Sequence, residues 1–184
     1  MKGILFIIKE KKEGLGIHEF GFMNTKELIF SQAVHDMCKD NRCGNYGKTW
    51  ACPPAVGTIG ECRENILKYD SVFVFTTIFQ LEDSFDYEGM LKGKKWHDQV
   101  SSRVTALWKE HLDDFLALTN EGCYKCKECT YPNAPCRFPE ELYPSVEAYG
   151  VEVYPLSLSA KVKYNNGPNT VTYFGCILFN NGNT

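Results

Sequence analysis

One stretch constrains this chain more than any other. Residues Gly122-Cys123-Tyr124-Lys125-Cys126-Lys127-Glu128-Cys129-Thr130-Tyr131-Pro132-Asn133-Ala134-Pro135-Cys136-Arg137 hold four cysteines spaced C-x2-C-x2-C-x6-C. Three thiols at intervals of three can fold around one face of a small inorganic cube. The fourth, reached through a loop with prolines at 132 and 135, can close the remaining corner. Four thiolates with a tight first trio are the ligand set of a 4Fe–4S cluster. The bacterial ferredoxin run shares the C-x2-C-x2-C start, but its fourth cysteine comes sooner and ligates a second cluster, so the match is partial. Two other readings stay open. Zinc also takes four thiolates, although usually from two separated C-x2-C knuckles. Four unligated thiols in a loop of lysine and glutamate would be exposed and open to oxidation.

A second group, Cys38, Cys43, Cys52 and Cys62, is spaced C-x4-C-x8-C-x9-C. As a pattern it is weak, but its context points to metal for three members. Cys43 and Cys52 flank a loop with Gly44 and Gly47, whose backbone amides can approach cluster sulfurs. Hydrogen bonds to sulfur are a main control of cluster potential. Cys52 is followed by Pro53 and Pro54, which offer no amide donor and shield a metal from water. Cys62 falls on the apolar face of an expected helix, where a cysteine is equally a ligand or a small core hydrophobe. Cys176 sits in an apolar strand and is expected in the core. The second group is thus a full four-thiolate cluster or three thiolates with an open corner. A closed cluster passes electrons, whereas an open corner can bind substrate, as catalytic zinc sites do.

Arg137 follows Cys136, and a cation there would stabilise the negative charge of a thiolate cluster. The alternative is an ordinary surface pair with Glu140 or Glu141. Tyr46 and Trp50 either shield a cluster or only pack the loop. The four histidines have no metal spacing, and no Ser-His-Asp order, Walker loop or dinucleotide fingerprint occurs.

Nine cysteines with no export signal favour metal or redox chemistry over a disulfide framework. The apolar start, Met1 to Lys9, is too short for a signal peptide, so the chain is expected to be cytoplasmic. A net charge of −3 argues against nucleic acid as the main partner. No apolar run approaches the roughly 20 residues of a membrane span. The 184 residues are expected to form a single domain, 1–184, with cysteine-rich loops at about 38–57 and 122–138.

Pattern predicts the following elements. Ile4–Ile8 and Ile17–Met23 read as a strand hairpin across the turn at Gly14 and Gly16. Asn24 with Glu27 starts a helix running to about Met37, and Thr58 with Glu61 starts another to about Tyr69. Val72–Phe79 is a central strand covered on both faces. Residues 81–93 read as an acidic surface loop, and Lys94–Thr119 as the longest helix, stopped by Gly122. Val151–Tyr154 is a brief strand. Leu158–Tyr164 and Thr170–Phe179 read as a hairpin through the Asn166-Gly167 turn. Interspersed strands and helices give an α+β fold with a mixed or mostly antiparallel sheet, helices packed on it and two cysteine-rich metal-binding loops.

Cys43-Gly-Asn-Tyr-Gly-Lys-Thr-Trp-Ala-Cys52-Pro-Pro, the Cys123 to Cys129 trio, Cys136-Arg137 and Pro144-Ser-Val-Glu-Ala-Tyr-Gly150 together resemble one family. It is the group called predicted metal-binding proteins, domain of unknown function 2284, and the resemblance covers about residues 25–179. It implies a small soluble protein, mostly of anaerobic bacteria and archaea, that binds metal through these cysteines. It implies no particular reaction.

The residues therefore predict an iron–sulfur protein with one or two 4Fe–4S clusters. The first is held by Cys123, Cys126, Cys129 and Cys136, the second by Cys38, Cys43, Cys52 and Cys62. The expected role is electron transfer to, or reductive activation of, a partner protein or small-molecule substrate. One alternative is a structural zinc module that folds on metal and docks to a partner. Another is an enzyme with an open-cornered cluster.

Overall fold

The segment Ser71–Gln80, SVFVFTTIFQ, is apolar at successive positions and cannot leave either face in water. In the computed structural model, which describes residues 2–120 and 122–183, it forms the inner strand β2 of a four-stranded sheet. Its partners are β1 (Phe20–Asn24) on one side and β4 (Thr170–Phe179) on the other, with β3 (Leu116–Leu118) beyond β4. All three ladders are antiparallel. The expected α+β architecture is thus present, with an antiparallel sheet.

Register divides the apolar residues between two layers. Val72 pairs with Leu178 and Val74 with Cys176, and these four face one cluster together with Leu118. Phe73 pairs with Ile177, and with Phe75, Phe179 and Ala117 they face the opposite cluster. The second layer is closed by α4 (Tyr87–Lys109) and α1 (Lys2–Leu15). Val100, Val104, Leu107 and Trp108 of α4 meet Ile4 and Ile8 of α1 there. The Trp108 ring lies 4.7 Å from Phe179 and 5.5 Å from Phe73, centroid to centroid. The first layer is closed by α3 (Ile59–Ile66), through Cys62 and Ile66, and by α5 (Val153–Ser159), through Leu156. The short α2 (Gln32–Met37) leads into the first cysteine loop.

Several expected elements differ. The start of the chain is helical, not a strand. Ile4 and Ile8, one turn apart, are buried, while Phe6 is 65% exposed, so only one helical stripe needs cover. The Asn24–Glu27 capping box forms, but it caps a single 3₁₀ turn at 25–27. Leu28 then turns extended, and α2 starts later, behind Ser31, whose hydroxyl accepts from the Val34 amide. The Thr58–Glu61 capping box does open α3. Helix α4 begins inside the expected acidic loop, because Asp86 accepts from the Gly89 amide and caps it. It ends at Lys109, not near Thr119, and 116–118 join the sheet as β3, pairing with β4. The expected strands at 151–154 and 158–164 are replaced by α5 and one bridge from Val151 to Phe30. Strand β4 is already flanked by β2 and β3, so no edge remains for a hairpin partner. Pro155 lies in the first turn of α5, where it costs no hydrogen bond, and Lys161 just beyond the helix takes a left-handed φ of 57°. Among the described residues no helix is long and apolar enough to cross a membrane.

Gly21 of β1 shows how closely α5 approaches the sheet. A Cβ there would stand 1.8 Å from the carbonyl oxygen of Ala160. Gly21→Ala is therefore expected to destabilise the fold by about 1–3 kcal/mol, the usual cost of overpacking. Urea denaturation measures this, and an unchanged midpoint would show that the helix end yields freely.

Candidate metal centre

Two cysteine loops leave the fold at neighbouring places. The first starts where α2 ends, with Cys38 as its cap residue, and passes through left-handed turns at Asn41, Gly44 and Gly47. The second follows β3 through Thr119 and Asn120. Thr119 is fixed by backbone hydrogen bonds to Pro144 and Val146.

The loops dock on each other. Asn45 Nδ2 of the first donates to the Tyr124 hydroxyl of the second at 2.8 Å. Trp50 Nε1 donates to the Ala134 carbonyl at 3.1 Å, and its ring meets Tyr131 edge-on at 5.0 Å. Gly122 lies directly under Asn45, where a Cβ would stand 2.6 Å from Asn45 Nδ2. Trp50 and Tyr131 thus form a shared wall, and Tyr124 and Asn45 a shared hinge pin.

Within the second loop, Cys123, Cys126, Cys129 and Cys136 all line one small cavity. Trp50, Phe138 and Leu142 supply apolar walls, and Arg137 lines it too. Arg137 is held by donation from Nη1 to the Glu128 carbonyl at 2.8 Å, across the loop. Glu140 and Glu141 are instead paired with Lys109 and Lys125. Backbone amides point at sulfur: Phe138 N–H donates to Cys136 Sγ at 3.4 Å, and Lys125 N–H to Cys123. Burial nevertheless pushes the Cys123 thiol up, and Cys136, Cys126 and Cys129 around it add to the rise. Cys123 thus keeps its proton more firmly than a free thiol, and a bound cation would displace it.

In the first loop, Cys38, Cys43 and Cys52 come together. Burial pushes the Cys38 thiol up to about 11, and the nearby Cys52, Cys43 and Glu147 add to it. The Cys52 thiol is also raised, by burial first. The Thr49 hydroxyl and the Gly122 amide offset part of that rise, while Cys43 and Cys123 increase it. Cys52 is therefore the neighbour of both groups, and an amide of one loop donates to a sulfur of the other. Cys62 does not share this setting. It is 1% exposed within the core beneath the sheet, and its thiol donates to the Val56 carbonyl at 3.4 Å. Cys176, 2% exposed, lies in the same core.

The donor set suits a soft metal. Seven cysteines stand in two adjoining loops, three in one and four in the other. Among the described residues, no three His, Cys, Asp or Glu side chains converge on a single-ion position. One buried donor in this region, Asn120 Nδ2, has no hydrogen-bond partner among the described residues. Buried donors are nearly always satisfied, and inorganic sulfide would accept from them. The pattern of cysteines marks the candidate thiols but not this donor, nor Asn45 and Tyr124, which carry no spacing signal of their own. The histidines stay outside. His97 is fully buried and neutral, pushed down to about 3 by desolvation, with Nδ1 against Thr77 Oγ1. His35 is bonded to the Ala148 carbonyl.

The fold and the site define a cysteine-rich α+β protein with two docked thiol loops. The chain belongs to the family of predicted metal-binding proteins (DUF2284), which matches residues 21–179. No curated protein matches it. Among solved structures, epoxyqueuosine reductase from Bacillus subtilis is similar at a TM-score of 0.38 and 10% identity. That likeness covers 95% of this chain and 45% of the other, so the chain spans less than half of that structure's length. At that score and identity nothing of the reductase's activity is carried across.

Burial of Cys62 sets a pH dependence. Its thiol is pushed up to about 11 from an ordinary 9.0. Tyr69, half-buried and donating to Asp114, is pushed up to about 12 from 10.0 by desolvation first. Both groups hold their protons longer folded than unfolded, so their contribution is full below pH 9 and is lost as pH rises towards 12. Denaturation midpoints are expected to fall across that window and to fall less in Cys62→Ala. Equal slopes in the two proteins would place Cys62 outside the core.

Proposed function

We propose that this protein is an iron–sulfur protein. Cys123, Cys126, Cys129 and Cys136 hold a 4Fe–4S cluster, and Cys38, Cys43 and Cys52 hold a second centre with one corner open. The observation that carries this reading is the single cavity lined by all four cysteines of the second loop, next to Cys52 of the first. A cluster supplies one-electron transfer, and the role that follows is passing electrons to, or reductively activating, a partner protein or small substrate.

The chain's own residues do the rest. The Phe138 and Lys125 amides donate to sulfurs of one group, and the Gly122 amide to Cys52 of the other. Such donors stabilise the more negative state and raise the potential. Trp50, Tyr131, Phe138 and Leu142 keep water from the second loop's cavity. Arg137 places a cation at its edge. Withdrawal of Cys62 into the core leaves the first group three thiols, which supports an open corner over a closed cluster.

Protein purified without oxygen is expected to be brown, with broad visible absorption that bleaches on dithionite. Cys129→Ala should lower iron and acid-labile sulfide by about four each per chain, the content of one cluster. Cys62→Ala should leave both unchanged. Colourless protein with stoichiometric zinc and no labile sulfide would overturn the reading in favour of a structural zinc module.

A further inference from the structure

On its other side Cys123 borders a larger cavity of about 540 Å³, within the range of small-molecule sites. Helix α4, Thr119 at the end of β3, the start of the four-cysteine loop and the segment around Tyr143 wall it. Its charge is uneven. Lys94, Lys95 and Lys125 line it against Asp98 and Glu141, three cations to two anions, a surplus of one positive charge. Lys125 is committed to Glu141. Lys94 pairs with Asp98, which leaves the exposed Lys95 as the surplus cation. Lys94 itself is only 6% exposed, unusual for a lysine. Its Nζ lies 3.8 Å from the centroid of the Tyr124 ring and 3.5 Å from Asp98 Oδ2, on the more exposed side of the pair.

The remaining wall combines Leu91, Tyr124 and Tyr143 with the aliphatic stems of the lysines. A largely apolar, open-sided lining with a buried ammonium favours a ligand that has an apolar body and one negative charge. A monoanion matches the surplus, whereas a phosphate dianion would exceed it by one negative charge.

We infer that this cavity binds a small organic carboxylate, its charge at the adjacent Lys94 and Lys95 ammonium groups and its apolar body between Leu91, Tyr124 and Tyr143, against Cys123. The placement next to a cluster rests on the reading above, while the binding itself does not. The competing explanation is that the lysines only balance the negative charge of a thiolate cluster.

Isothermal titration of the anaerobically purified full chain with benzoate separates the two. Benzoate is expected to saturate one site and to bind at least tenfold tighter than benzamide, its neutral counterpart, and tighter than inorganic phosphate. Lys94→Met should abolish that preference, and Lys94→Arg, which keeps the charge, should restore most of it. No benzoate binding, or equal binding of benzoate and benzamide by the unaltered protein, would overturn the inference. So would a Lys94→Met protein that binds benzoate undiminished and shifts only in reduction potential. Iron analysis of the same samples keeps the two readings apart. Charge-dependent benzoate binding without iron sinks only the cluster, and iron without benzoate binding sinks only the carboxylate site.

Discussion

The ten-residue antiparallel ladder between β2 and β4 is the constraint on which the rest depends. It lays apolar residues on both faces of one sheet, so each face must be covered. Helices α1 and α4 cover one, and α3 and α5 the other. The ladder also sets where β3 attaches, against Leu178 to Cys176. The chain leaves β3 directly into the four-cysteine loop. A slip of one residue in this ladder would exchange Val72 and Val74 with Phe73 and Phe75 between the layers. Gly175 guards against it, since a side chain there would strike the Phe75 ring at 2.2 Å.

On this frame the cysteine loops carry few regular hydrogen bonds of their own. They are ordered by each other, through Asn45 to Tyr124, Trp50 to Ala134 and the Gly122 amide to Cys52. Burial is spread unevenly across the thiols. Cys52 is 6% exposed and Cys43 is exposed, so the first group reaches from the interior to the surface. The second group is half-buried throughout. The first group thus spans interior and surface, while the second lies beneath a thin aromatic cover.

What could be read from residues alone was what local chemistry decides. The central strand, the α3 capping box and both cysteine groups are written in neighbouring positions. The first helix was not legible, because Ile4, Leu5, Phe6, Ile7 and Ile8 are apolar throughout and carry no period. Burial of only one side shows itself after folding. The 158–164 segment misled for the opposite reason. Its alternation is real, but Leu158 and Tyr164 are exposed while Ala160 and Val162 are buried by α5 and its exit turn. Cys62 stood equally for ligand or core, since spacing cannot tell which way a helix faces. Lys94 gave no sign at all. Its burial arises from Tyr124, thirty residues on and in another segment.

The close approach of Gly122 to Asn45 has a consequence for assembly. No side chain fits between the loops at that point, so neither can settle in place while the other is loose. A chain that has organised one loop has already met most of the entropic cost of organising its neighbour. The two loops would then take up their folded course together, as one event.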